Sequence, residues 1–132
     1  MYLVDTSVWI GYMREEENEA TEHLAEVATR GHPFGITGVI YQEVLQGAAS
    51  KTKLGYLAEY LSSQTFYHPR DSVESHGEAA LIYFRCRRAG VTVRSAIDCL
   101  IARIAIEHDL MLLHDDSDFE NMARVITELT LA

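Results

Sequence analysis

The residues of this chain best placed to do chemistry are acidic side chains at the ends of predicted elements. Asp5 closes the short apolar run Tyr2-Leu3-Val4 and is followed by two hydroxyl residues, Thr6 and Ser7. Glu43 falls one turn into a predicted helix, on the face shared by Val39, Ile40 and Gly47, where an unpaired charge is costly to bury. Asp98 ends the segment Ser95-Ala96-Ile97-Asp98 and shares a helical face with Ile101, Ala102 and Ala105. Asp116, flanked in its loop by Asp115 and Asp118, lies just beyond the apolar run Leu110 to Leu113. Each position also has a purely structural reading. Asp5 is a good N-cap, as is Asp116 or Asp118; Ser95 with Asp98 resembles a capping box; Glu43 can pair with a basic neighbour. Capping does not account for the conjunction. Carboxylates brought to one rim of a sheet repel and resist ionisation. A hard divalent cation, Mg²⁺ or Mn²⁺, relieves that conflict by taking carboxylate and water oxygens.

The elements that must position these acids alternate. Tyr2 to Val4 reads as a first strand, and helical patterning runs on to Met13 and resumes with Ala20, Leu24, Val27 and Ala28 until Gly31-His32-Pro33 stops it. A second strand is expected over Phe34 to Thr37, a helix over Gly38 to Ala49, another over roughly Leu54 to Leu61, and a strand over Thr65 to Tyr67. A longer helix begins at Asp71-Ser72 and runs to Arg88, with Gly90 as its stop. Ser95 opens the next helix, with Ile97, Leu100, Ile101, Ile104 and Ala105 on one face. Leu110 to Leu113 reads as a buried strand, followed by a brief helix and a last edge strand over Val125 to Leu129. Short apolar strands alternating with helices imply an α/β fold whose sheet is mostly parallel and covered on both faces. In such a sheet the carboxyl ends of the strands form the ligand-binding rim.

The chain has 132 residues, 48 % of them apolar, which fits one domain spanning residues 1–132 with one core. Its two cysteines, Cys86 and Cys99, lack metal-type spacing and are expected as buried small hydrophobes in a reducing, cytoplasmic setting. No basic stretch precedes an apolar run at the start, so no secretory signal is expected, and no apolar stretch is long enough for a membrane span. A formal net charge of −9 disfavours long-range attraction to nucleic acid. Part of it belongs to a solvated helix face, Glu15-Glu16-Glu17 with Glu19 and Glu22.

Taken in order, four segments resemble the PIN-domain ribonucleases, specifically the VapC-type toxins of bacterial and archaeal toxin–antitoxin pairs. They are Leu3-Val4-Asp5-Thr6-Ser7-Val8-Trp9-Ile10, Glu43-Val44-Leu45-Gln46-Gly47, Ser95-Ala96-Ile97-Asp98-Cys99-Leu100-Ile101-Ala102, and Leu112-Leu113-His114-Asp115-Asp116-Ser117-Asp118-Phe119. The resemblance covers nearly the whole chain. It implies a three-layer PIN-like fold and a site in which Asp5, Glu43, Asp98 and Asp116 bind Mg²⁺ or Mn²⁺. Thr6 or Ser7 would support that site from the first helical turn, and Asp118 would stand behind the ligands. The implied activity is endonucleolytic cleavage of RNA (tRNA, rRNA or mRNA), leaving a 5′-phosphate and a 3′-hydroxyl. The resemblance also implies a homodimer and a cognate antitoxin protein that inhibits it. Metal-assisted phosphodiester hydrolysis needs acceptor-only ligands on a rigid rim and no separate histidine base.

Among the basic residues, Arg94 is the best candidate for a phosphate contact, lying just before the helix of Asp98; Arg85, Arg87 and Arg88 equally suit the C-terminus of their own helix. His114, beside the acidic loop, reads either as a substrate contact or as a structural hydrogen bond. The other histidines are read as surface or cap residues. Trp9 is read as core, and Tyr12 and Met13 as part of an apolar surface that meets a partner. Two other classes compete. Aspartyl-phosphate proteins also carry acids at strand ends, but they need a late lysine, and the last here is Lys53. A PIN-like binding module without catalysis is the other, and it leaves the four acids without a purpose.

Overall fold

The computed structural model describes all 132 residues. Strand β1 (Tyr2–Val4) leads through helices α1 (Thr6–Met13) and α2 (Glu19–Thr29) to β2 (Phe34–Ile36). Helices α3 (Gly38–Gln46) and α4 (Lys51–Ser62) carry the chain to β3 (Thr65–Phe66). Helices α5 (Ser72–Arg88) and α6 (Ala96–Glu107) return it to β4 (Met111–Leu113), and α7 (Ser117–Val125) follows.

All four strands are parallel, in the order β3-β2-β1-β4. The chain therefore winds outward in one direction from β1 to β3 and then crosses to the other side of β1. Right-handed crossovers place α1 to α4 on one face and α5 and α6 on the other, and α5 packs on α6 and α7. This is the covered α/β sheet that the alternation predicts. The direction of winding switches between β1 and β4, and the crevice at such a switch point is where ligands bind.

The core runs through both layers. Leu3, Val4, Ile36 and Leu112 are fully buried from the sheet, with Ile40, Ile101, Phe119 and Met122 packed on it from the helices. Trp9 is buried as expected, and its indole N–H is satisfied by the Val4 carbonyl at 3.1 Å. Cys86 and Cys99 are buried free thiols, as their setting predicts. Gly35 lies where β2 and β3 approach closely. A Cβ there would collide with the Thr65 carbonyl oxygen, so only glycine fits without moving backbone. Gly90 ends α5 in the left-handed region, φ 77°, as its place in the sequence predicts.

Several boundaries shift. α3 stops at Gln46 rather than Ala49, and α4 starts at Lys51, three residues before Leu54, because Ser50 caps it through the Lys53 amide. The edge strand expected over Val125 to Leu129 does not form. α7 runs to Val125, and only Leu131 reaches the sheet, as a bridge to Leu112. Phe119, Met122 and Ile126 are buried at helical spacing, and that burial outweighs the β preference of Val125, Ile126 and Thr127.

Candidate active site

Asp5 and Asp116 flank the switch point, and both are N-caps. Asp5 Oδ2 accepts from the Ser7 amide at 3.1 Å and the Ser7 hydroxyl at 2.7 Å. Asp116 Oδ1 accepts from the Asp118 amide at 2.9 Å. The structural reading of these positions therefore holds, and it is also what fixes the carboxylates at the rim. The Ser7 hydroxyl has a second task, accepting from the Asp115 amide at 3.0 Å. It ties the loop after β4 to the end of β1. Thr6, one residue earlier, donates to Glu43 Oε1 at 2.8 Å and holds that side chain from α1. Thus the two first-turn hydroxyls serve different carboxylates.

Asp98 differs from its neighbours. Ser95 caps α6 through the Ile97 amide at 3.3 Å rather than in a capping box with Asp98, so the Asp98 side chain is free of the cap. No donor in the chain reaches its carboxylate. Burial, then the charges of Asp5, Asp116, Glu43 and Asp118, push it up to about 7. Asp5 is also raised, by burial first and by the charge of Asp116, against the lowering effect of its Ser7 and Thr6 hydrogen bonds. Oxygens of Asp98, Asp116 and Asp118 lie within 4.8 Å of one another.

Asp118, expected behind the ligands, is thus in the same group as Asp98 and Asp116, and it is buried. Its Oδ2 accepts from the Arg94 amide at 3.2 Å and from Arg94 Nε at 3.1 Å. That guanidinium hydrogen bond holds Asp118 below the usual carboxylate range. A second guanidinium nitrogen of Arg94 reaches Asp116 at 3.4 Å. Arg94 is the single cation paired with the group, and 71 % of its side chain is exposed. Asp115 is exposed and lies outside that group. His114 Nδ1 accepts from the Asp116 amide at 3.2 Å, which is the structural alternative for that residue and leaves the proton on Nε2. Arg85 pairs with Glu128 at 2.9 Å, away from the group. Ser7's link to Asp115 and the pairing of Arg94 with Asp118, 24 residues apart, carry no local sequence signal.

The donor set is oxygen only, carboxylate only and short of cations. It fits a hard divalent ion better than it fits vacancy, because Asp98 otherwise keeps a proton or an uncompensated charge near neutral pH.

A sequence profile of the PIN domain matches residues 2–125. The chain belongs to the PIN-domain family. Among its curated relatives are VapC ribonuclease Mb1587 of Mycobacterium bovis and ribonuclease VapC11 of Mycobacterium tuberculosis. Each is 36 % identical over 129 residues, which is 95 % of this chain and 93 % of theirs. In fold it is similar to VapBC2 from Rickettsia felis bound to a DNA fragment from their promoter, with a TM-score of 0.75 at 17 % identity, covering 99 % of this chain and 96 % of that one. FitAcB from Neisseria gonorrhoeae gives 0.70 at 18 % identity over 99 % and 96 %. A toxin–antitoxin complex from Klebsiella pneumoniae gives 0.69 at 19 % over 99 % and 100 %.

Proposed function

We propose that this chain is a single PIN domain acting as a metal-dependent endoribonuclease, the toxin of a toxin–antitoxin pair. The observation that carries the reading is Asp98, a carboxylate with no donor of its own, grouped with Asp116 and Asp118 and facing the charges of Asp5 and Glu43, which lie outside that close group. Likeness to VapC ribonucleases over nearly the whole chain supports RNA as substrate. Asp5, Glu43, Asp98 and Asp116 would hold Mg²⁺ or Mn²⁺, with Asp118 beside them. When bound, the ion lowers the pKa of a water and stabilises charge on the phosphoryl oxygens. The chain's own residues do the positioning. Ser7 orients Asp5 and the loop after β4, Thr6 orients Glu43, and Arg94 fixes Asp118 while presenting an exposed guanidinium to phosphate.

The partners follow the same reading. An antitoxin is supported by the complexes among the structural relatives and by a groove between α1, α3 and α4. That groove, of about 500 Å³, is lined by Ile10, Met13, Val44, Tyr56 and Leu57, with Arg14 and Lys53 also present. It suits an apolar segment carrying acidic residues. A homodimer is supported by α5, whose outer face exposes Val73, Gly77, Leu81 and Phe84. Glu74 and Glu78 lie in its first half, Arg87 and Arg88 in its second. A two-fold crossing near Ala80 and Leu81 would set acidic half against basic half. It would also put Phe84 of one copy over Gly77 of the other, where a Cβ meets nothing. The buried free thiols fit a reducing cytoplasm, and no helix is long and apolar enough to cross a membrane.

The test is incubation of purified protein with a pool of tRNA and rRNA, with Mg²⁺ or Mn²⁺ and with chelator, beside Asp98→Asn. Discrete fragments that need metal and disappear in the folded variant are expected. Equal cleavage by wild type and variant would refute the assignment. Metal binding without any cutting of RNA would favour a non-catalytic PIN module.

A further inference from the structure

Directly beside the carboxylate group is a cavity of the opposite character. It lies between the turn Gly90–Thr92 and α7, measures about 430 Å³, and is lined by Arg94, Asp118, Asn121 and Arg124, with Val91 its one apolar wall. Asp118, the acid in it, has its Oδ2 taken up by Arg94. What faces open space is therefore mainly donors. Arg124 is exposed in the last turn of α7. Unlike Arg30, Arg85, Arg94 and Arg103, it pairs with no carboxylate. Asn121 stands one helical turn before it on the same side. Thr92 is exposed, and its amide has no backbone acceptor.

On a chain of net charge −9, the Arg124 guanidinium, with no carboxylate partner, and the Asn121 amide offer donors to an anion beside an acidic centre. We propose that this notch binds a phosphodiester of the RNA strand adjacent to the one that is cut. The inference rests on the ribonuclease reading and names how that site holds its substrate. Arg94 and Asp118 line both the notch and the carboxylate group, so a strand held here passes directly into the site. Guanidinium recognises phosphate oxygens through paired N–H donors, and contacts of this kind position a strand without reading its bases. The α7 dipole also favours a cation at the position of Arg124. It does not explain why Arg94, Asn121 and Thr92 converge there.

The experiment takes a labelled single-stranded RNA spanning a cut mapped in the tRNA and rRNA pool. It measures kcat, KM and salt dependence for wild type, Arg124→Ala, Arg124→Lys, Asn121→Ala and the distant control Arg30→Ala. Expected are a KM raised about five- to tenfold in Arg124→Ala with kcat nearly unchanged, a salt slope smaller by about one, and partial recovery in Arg124→Lys. A neutral methylphosphonate at one flanking position should weaken wild type and add nothing in Arg124→Ala. Active wild type with unchanged KM and slope in Arg124→Ala would overturn the subsite alone and reassign its cations to an acidic protein partner. Wild type that neither binds nor cuts RNA overturns the ribonuclease reading, and the subsite with it.

Discussion

The Thr6 hydroxyl donates to Glu43 Oε1 over 2.8 Å, joining the first turn of α1 to the middle of α3. Glu43 has no other donor in the chain, so its orientation depends on that one contact. Thr6→Val keeps the shape and removes the donor. It should lower RNA cleavage about tenfold, the usual scale for a group that orients a ligand, and raise the metal concentration needed for half-maximal rate. Thr6→Ser should restore both. A Thr6→Val protein with wild-type metal dependence would remove Thr6 from the site.

Asp98 has a pH signature. It titrates at about 7 in the folded chain against an ordinary 3.8. A carboxyl raised in this way holds its proton more tightly when folded, so ionisation costs stability. The cost begins as pH rises past the unfolded value and is complete above about 7. Chelator-treated wild type should therefore lose thermal stability between pH 5 and 8 more steeply than Asp98→Asn. Mg²⁺ or Mn²⁺ at pH 8 should raise the Tm of wild type and barely move the variant. Parallel pH profiles for the two proteins would contradict the burial and crowding described for Asp98.

Glu107 should prove the most sensitive acid outside the site. It ends α6 and accepts from the Ser75 hydroxyl, from the Arg70 amide at 3.0 Å and from Arg103 Nε at 3.0 Å. Burial alone would raise its pKa, but these donors together outweigh it and hold it below the ordinary value. Its stabilisation is present above the unfolded value of 4.5 and is lost as pH falls through the lower folded one. Glu107→Ala should cost about 3 kcal/mol, since it leaves a partly buried cation and a buried hydroxyl unpaired. Urea unfolding measures the loss directly, and a cost below about 1 kcal/mol would show the network to be surface-like.

The α5 face makes a separate prediction. Phe84→Asp should convert a dimer to a monomer in sedimentation equilibrium without lowering the unfolding temperature of the monomer, because Phe84 is 45 % exposed within one chain. A folded variant that stays dimeric would move the interface elsewhere.

How far the sequence foretold this arrangement depends on the range of the interaction. Asp5 and Asp116 were legible because an N-cap after an apolar run is a local signal, and the sheet brings strand ends together. Glu43 and Asp98 stood out as acids on apolar faces. Val125 to Leu129 has the β-branched composition of an edge strand, but it lies at a helix end packed by Phe119 and Met122. Nothing in the segment of Asp118 reveals that Arg94 and Asp98 meet it across the fold. The notch at Arg124 was missed for the same reason. Its members come from separate segments, and an isolated arginine near a helix C-terminus reads as dipole compensation.

The strand order also sets a timetable. Asp5 is made well before Asp116, and their strands become neighbours only when Leu112 pairs beside Leu3. Until β4 and α7 have emerged, the chain holds Asp5, Glu43 and even Asp98 without Asp116, without Asp118, and with Arg94 lacking its partners. Such late closure between distant segments is intrinsically slow. A chain stalled before β4 is therefore incomplete at its centre. For a nuclease that would otherwise meet the RNA of the machine translating it, activity would begin only once β4 and α7 have closed the centre.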